Sequence, residues 1–129
     1  VNSFDTNIVA RWLIRDDEKQ ARQVDELLKS TRTARVSDVV FFELEHLARS
    51  YYMMDRELVA EHIQAMIDST YFTFDKPLWS EAVKLYVRYQ GLSMADCYLA
   101  LTSAEKPNEK LITFDKALAK KLPKFVELV

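Results

Sequence analysis

The strongest constraint on the fold is an alternation of two periods. Short runs rich in β-branched and aromatic residues, at 1–4, 34–36, 71–74, 110–114 and 125–128, are separated by longer stretches with apolar residues at helical spacing. The helical stretches cover about 5–15, 18–30, 39–52, 55–67, 75–90, 93–104 and 115–122. Their apolar faces read Ile8, Val9, Trp12 and Leu13, then Ala21, Val24, Leu27 and Leu28, then Val40, Leu44, Leu47, Ala48 and Tyr51. Leu58, Val59, Ile63, Met66 and Ile67 form the next, and Leu78, Ala82, Leu85 and Tyr86 another. Strands that alternate with helices predict a central parallel sheet covered by helices on both sides, an α/β architecture. The stretch 39–67 holds two helices with no strand between them and reads as a paired-helix insertion. At 129 residues the chain fits one domain, 1–129, with a real core. No internal repeat, low-complexity tract or linker stands out.

The helix starts carry local signals. Ser37 or Asp38, Asp55, and Asp75 before Lys76-Pro77 stand at N-cap positions. Ser93-Met94-Ala95-Asp96 has the spacing of a capping box. Gly91, the single glycine, is placed to end the helix before it as a C′ residue.

Composition removes several functional classes. One glycine leaves no room for a glycine-rich phosphate loop, and neither GxGxxG nor a Walker sequence is present. A single cysteine, Cys97, makes no internal disulfide and no thiolate zinc cluster, which fits a reducing, cytoplasmic setting. No apolar run approaches ~18 residues, so no membrane span is expected, and no secretory signal pattern is visible. The first residue is Val1, which suggests a trimmed or altered start. The net charge of −2 argues against bulk nucleic-acid binding through a basic surface. It leaves room for an acidic site with small basic patches around it.

Four carboxylates stand out by context among the 20 acids. Asp5 closes the first strand-like run, and Asp115 closes the run at 111–114. If those strands are parallel neighbours, both acids emerge at the carboxyl edge of the sheet, where open α/β folds bind ligands. Glu43 follows four apolar residues and borders a buried stripe, where an unpartnered charge is costly. Asp96 lies in the first turn of a helix. Each also has a purely structural reading: Asp5 and Asp115 as N-caps, Asp96 as the acid of the capping box, and Glu43 as a solvent-facing residue.

Should the four converge, two like charges at ~4 Å cost about 4 kcal/mol at an effective dielectric of 20. A hard divalent cation offsets that cost. Mg²⁺ or Mn²⁺ takes oxygen ligands and keeps several waters. Such a cluster fits phosphodiester hydrolysis, in which the metal neutralises the phosphoryl oxygens and activates a bound water. Thr6, Asn7 and Thr113 are neutral hydrogen bonders beside the acids. His46 and His62 are weak ligand candidates, His46 as a flanking residue and His62 as a surface residue. Cys97 reads as a small packed residue.

Taken together these segments resemble a known family. Phe4-Asp5-Thr6-Asn7-Ile8-Val9 resembles the opening motif of PIN domains, and Val40-Phe41-Phe42-Glu43-Leu44-Glu45-His46-Leu47 their second motif, an acid on a helix. Ser93-Met94-Ala95-Asp96-Cys97 is similar to the third, and Leu111-Ile112-Thr113-Phe114-Asp115-Lys116 to the fourth. Order, spacing and length resemble the VapC toxins of prokaryotic toxin–antitoxin pairs. The resemblance implies a PIN-like α/β/α sandwich and a Mg²⁺- or Mn²⁺-dependent endoribonuclease. It implies Asp5, Glu43, Asp96 and Asp115 as the catalytic, metal-binding set. It also implies a homodimer and a VapB-type antitoxin that covers the site. Cys97-Tyr98 departs from the small aliphatic pair expected after Asp96, and the opening strand, with Asn2 and Ser3, is more polar than usual.

Among other residues, Tyr51 is expected in the core, while four bulky residues in a row, Tyr51-Tyr52-Met53-Met54, cannot all face one core, so part of the run is expected to line a partner groove. Trp12 and Trp79 are expected in the core first and at an interface second. Arg11 and Lys116 flank the acids and are candidates for contact with RNA phosphates. The main alternative is a PIN-like domain that binds RNA or a protein without cutting. A phospho-acceptor signalling domain with an acidic Mg²⁺ pocket ranks lower, because its early acid pair, Asp16-Asp17, follows a helix rather than a strand.

Overall fold

The computed structural model describes residues 2–31 and 33–129. Val1, expected to open the first strand, and Arg32, in the expected break at 31–33, lie outside the described residues. The chain divides into two compact units, Val1–Lys76 and Pro77–Val129.

In the first unit three short strands, β1 (Asn2–Ser3), β2 (Ala34–Arg35) and β3 (Phe72–Thr73), form a parallel sheet in the order β1-β2-β3. Asn2 lies opposite Ala34, and Ala34 opposite Phe72. The ladder runs one residue past the strands, since Phe4 N–H donates to the Arg35 carbonyl at 2.9 Å and Val36 N–H to that of Thr73 at 3.0 Å. Because the strands are parallel, the residues that follow them share one edge. Each strand is followed by one apolar residue and then a cap-forming type: Phe4-Asp5, Val36-Ser37 and Phe74-Asp75. The polar character of Asn2 and Ser3 matches their exposure on β1, one of the two edge strands of this ladder.

Among the described residues, four helices belong to this unit: α1 (Thr6–Ile14), α2 (Glu18–Thr31), α3 (Asp38–Ser50) and α4 (Arg56–Asp68). Helix α1 packs on α2 and α3, and α3 packs on α4, which is the paired-helix insertion expected at 39–67. Val9, Ala10, Val24, Leu28, Phe41, Leu44, Ile63 and Phe72 are buried. Trp12 meets Phe72 edge-on at 4.9 Å between ring centroids, and Phe41 meets Phe74 at 5.0 Å. Such edge-to-face pairs add about 0.5–1.5 kcal/mol to what burial provides.

Several expectations need correction. Tyr51 is 72% exposed, not inward. Tyr51 keeps right-handed helical torsion angles and its N–H bonds the Leu47 carbonyl at 2.9 Å, yet its ring lies outside, and Tyr52 is the ring that turns in. Leu27 and Leu58, placed on buried stripes, are 39% and 36% exposed. Ser37 holds the N-cap position of α3 without a side-chain capping bond. His62 is half-buried and lines a groove with Leu13, Leu44 and Val59, so it is not a plain surface residue.

Helix α5 (Lys76–Arg88) starts at the boundary of the units. The second unit continues with α6 (Met94–Ser103), β4 (Leu111–Thr113), α7 (Lys116–Lys121) and β5 (Val126–Leu128). Strands β4 and β5 are parallel, with Leu111 opposite Val126. Trp79 is fully buried and stacks on Tyr98 at 5.5 Å, and Cys97 is buried, as expected for both. Helix α5 stops three residues before Gly91, and that glycine does not take the left-handed conformation of a C′ residue. The chain leaves instead through a turn closed by Leu92 N–H on the Tyr89 carbonyl at 3.1 Å. A four-residue segment, Thr-Phe-Asp-Lys, occurs both at 73–76 and at 113–116, each time taking a strand into a helix. Helices alternating with parallel strands place the chain in the α/β class and fit a PIN-like α/β/α fold.

Candidate active site

The opening acid is fixed by the end of β1. Phe4 is buried and held in the ladder, so the next residue is delivered at the sheet edge. Asp5 takes extended torsion angles (φ −84°, ψ 175°) and caps α1, its Oδ1 accepting from Ile8 N–H at 3.0 Å. The N-cap reading of Asp5 is therefore correct. It does not compete with a site role, because the cap uses one carboxylate oxygen and leaves Oδ2 unengaged by that bond.

Glu43 rides on α3 between buried Phe41 and Leu44, and its side chain is exposed. The desolvation cost feared for this acid does not arise. Its position is set instead by Thr6, whose Oγ1 donates to Glu43 Oε1 at 2.9 Å. The first turn of α1 and the second turn of α3 thereby form one cleft of about 510 Å³, lined by Asp5, Thr6, Asn7, Phe42, Glu43, His46 and Leu47. His46 flanks the acids, with Nδ1 3.5 Å from Ser50 Oγ.

The other two acids belong to the second unit. Asp96 and Ser93 form a reciprocal capping box, with Ser93 N–H donating to Asp96 Oδ2 and Asp96 N–H to Ser93 Oγ, both at 3.0 Å. Asp96 is half-buried. Asp115 caps α7, its Oδ1 accepting from Leu118 N–H at 3.0 Å, and its own N–H donates to Thr113 Oγ1 at 3.0 Å. Lys116, the first residue of α7, is exposed.

Among the described residues, no three of His, Cys, Asp and Glu gather into a group able to hold a metal ion. A preformed cage of four carboxylates is thus not what the structure displays. Asp5, Asp96 and Asp115 each give an oxygen to a backbone N–H, and Glu43 accepts from Thr6. The donor set at Asp5 and Glu43 still fits a hard cation: two carboxylates with a hydroxyl and a carboxamide, and no soft ligand. Mg²⁺ is commonly held through one or two carboxylates, with water and substrate phosphate completing its shell.

Arg11 stands one helical turn and a half beyond Asp5. Its Nη1 donates to Asp16 Oδ1 at 3.1 Å and to Tyr52 Oη at 3.2 Å, and its Nε to Gln20 Oε1 at 2.6 Å. Tyr52 Oη in turn donates to Asp16 Oδ2 at 2.7 Å. That phenol bond, with the Arg11 charge behind it, holds the Asp16 carboxyl below its ordinary range. The same bond raises the Tyr52 phenol, and the separate hydrogen bond from Arg11 to Tyr52 raises the Arg11 guanidinium. A second cleft of about 290 Å³ opens here, sharing Asp5 and Asn7 with the first and adding Ile8, Arg11, Gln20, Gln23, Val24 and Leu27. Sequence reasoning passed over Gln20 and Gln23, because exposed polar residues three apart on a helix look like an ordinary solvated face. The one available signal was Leu27, an apolar residue beside them.

Acids at strand ends and on a neighbouring helix, in an α/β fold with parallel strands, lie at the carboxyl edge, where open α/β sheets bind ligands. The sequence matches the PIN domain family over residues 4–122, and the chain belongs to that family. The match runs through both compact units. No curated protein and no solved structure matches the chain. PIN domains are generally nucleases, which supports a hydrolase acting on nucleic acid. Among the described residues no helix is long and apolar enough to cross a membrane.

Proposed function

We propose that the chain, as a single PIN-like domain, is a Mg²⁺- or Mn²⁺-dependent endoribonuclease and the toxin of a VapBC-type toxin–antitoxin pair. The observation that carries this reading is the cleft in which Asp5 and Glu43 meet, tied together by the Thr6–Glu43 hydrogen bond. Asp5, Glu43, Asp96 and Asp115 are the acidic catalytic and metal-binding set. Thr6, Asn7 and Thr113 support them. A divalent ion supplies charge neutralisation at the phosphoryl oxygens and lowers the pKa of a water.

The chain's own contribution is positional. The cap on Ile8 N–H orients Asp5, and Thr6 orients Glu43, so both carboxylates face substrate without a reorganisation step. Lys116 meets RNA phosphate. Arg11, with Nε and Nη1 held inside the protein, keeps Nη2 for an RNA oxygen. A homodimer, a VapB-type antitoxin over the cleft and a cytoplasmic setting complete the proposal.

The test is cleavage of structured RNA by purified protein with Mg²⁺ and with EDTA, for the wild type and for Asp5→Asn. Asparagine is as good an N-cap as aspartate, so the variant keeps α1 while removing the charge. Cleavage that needs Mg²⁺ and falls by at least a hundredfold in Asp5→Asn supports the proposal. Undiminished cutting by the variant overturns the assignment of Asp5.

A second reading, in which the domain binds RNA or a protein without cutting it, is favoured by one observation. Among the described residues there is no three-ligand group for a metal. RNA binding that persists with no Mg²⁺-dependent cleavage selects that reading.

A further inference from the structure

We propose that the cleft on the α2 side of Asp5 is a nucleobase subsite, in which Gln20 and Gln23 read a base next to the scissile phosphate. This rests on the nuclease reading of the Asp5–Glu43 cleft and names the part of the substrate that reading leaves unassigned.

Four observations carry it. The cleft shares Asp5 and Asn7 with the acidic cleft, so a nucleotide whose phosphate lies at Asp5 has its base within reach. Its volume of about 290 Å³ sits at the small end of ligand pockets, roughly 300–1,000 Å³. Its walls have the chemistry of base recognition rather than of phosphate binding. Ile8, Val24 and Leu27 give an apolar surface for a ring face, and Gln20 and Gln23 give carboxamides for a ring edge. Arg11, the only cation among the described residues lining it, has Nη1 on Asp16 and Nε on Gln20, which leaves Nη2 as its one group for RNA.

The fourth observation sets the polarity of the readout. Arginine has donors and no acceptor, so the Gln20 atom 2.6 Å from Arg11 Nε is the carbonyl oxygen. The Gln20 NH₂ group is therefore the end left to face a ligand, as a donor. It favours a base that presents a carbonyl oxygen, guanine or uracil, over one that presents an exocyclic amine in its place. Arg11 is in this account a positioning residue: it fixes which end of the carboxamide is offered.

The test has one arm that reads binding and one that reads cleavage. In the first, amide spectra of the isotope-labelled protein are recorded with guanosine, uridine, adenosine and cytidine monophosphates in EDTA. The expected result is movement of the Gln20 and Gln23 side-chain NH₂ signals by the guanosine and uridine nucleotides. About tenfold weaker responses are expected from the other two, as for the loss of one good hydrogen bond. In the second arm, cut sites on a randomised RNA are mapped for the wild type, Gln20→Leu and Arg11→Lys. Gln20→Leu flattens a base preference beside the cut. Arg11→Lys also broadens the preference, because the carboxamide is free to turn over. NH₂ signals that respond alike to all four nucleotides, or to none, overturn the proposal. So does an unaltered preference in Gln20→Leu. In either case Mg²⁺-dependent cutting still stands for the nuclease reading. A selective NH₂ response in a protein that never cuts keeps the subsite and removes the nuclease.

Discussion

At the scale of single residues, the most informative group is the Arg11, Asp16 and Tyr52 cluster, which joins the α1–α2 turn to the end of α3. Tyr52→Phe removes the phenol's hydrogen bond to Asp16 and leaves the ring in place. A hydrogen bond to a charged group at this partly exposed position contributes about 1 kcal/mol. The pH dependence follows from the two shifts. Asp16 is held below its ordinary value, so its contribution is present above the unfolded pKa, about 3.9, and is lost as pH falls through the lower folded value. Tyr52 is raised, so its contribution is present below the unfolded pKa, about 10, and is lost as pH climbs through the higher folded value. Urea unfolding should therefore show Tyr52→Phe weakened at neutral pH, by a deficit that shrinks as the pH falls through the folded pKa of Asp16. A deficit that stays constant into acid would mean that ring packing, not this bond, matters. The sequence did not display the cluster. It placed Tyr51 inward on the α3 spacing, and Tyr51 does stay in the helical ladder through Leu47, but which ring at a helix end finds a neighbour is a tertiary matter that the apolar repeat does not carry. Gln20 escaped for a related reason, since its partner Arg11 lies across a turn.

At the scale of elements, the starts of helices were legible and their ends were not. Asp5, Asp55, Ser93 and Asp115 all cap as their positions suggested, because a capping bond reaches only two or three residues along the chain. Gly91 misled, because one glycine near a helix end is only compatible with a left-handed stop and does not enforce it. The caps are also compatible with the site role proposed for these acids. An N-cap needs one oxygen, so Asp5 and Asp115 begin helices and still offer the other. Asp55, which lies outside the acidic set, measures the capping contribution by itself. Its Oδ1 accepts from Leu58 N–H at 2.8 Å. Asp55→Ala should lower stability by about 1 kcal/mol, and Asp55→Asn should lie within a few tenths of the wild type. Chemical denaturation of the three proteins checks this. An equal loss in both variants would assign the effect to charge rather than to the cap.

At the scale of the whole molecule, the α/β class was legible because the two periods alternate along the entire chain. Which carboxylates meet was less so, since convergence depends on how strands pair rather than on any local pattern. The structure brings Asp5 and Glu43 to one cleft and shows the bond through Thr6 that the motifs alone do not reveal. Linkage turns that cleft into a measurement. A cation bound only by the folded chain stabilises it by about 1.4 kcal/mol at ten times its Kd. Mg²⁺ should raise the melting temperature of the wild type and raise it less in Glu43→Gln, whereas an equal rise in both would place the ion elsewhere. The net charge of −2 makes a second demand. A chain without a basic excess holds a polyanion only through a few local cations, so each should be visible in the salt dependence of binding. Lys116→Ala should weaken RNA binding about equally across sequences and reduce the slope of log affinity against log salt by roughly 0.7–1, one phosphate contact. Its cut-site preference should stay as in the wild type, because a phosphate contact carries no base information. An unchanged slope would remove Lys116 from the interface. A slope near zero already in the wild type would mean that the acids, and not the cations, dominate what this surface presents to RNA.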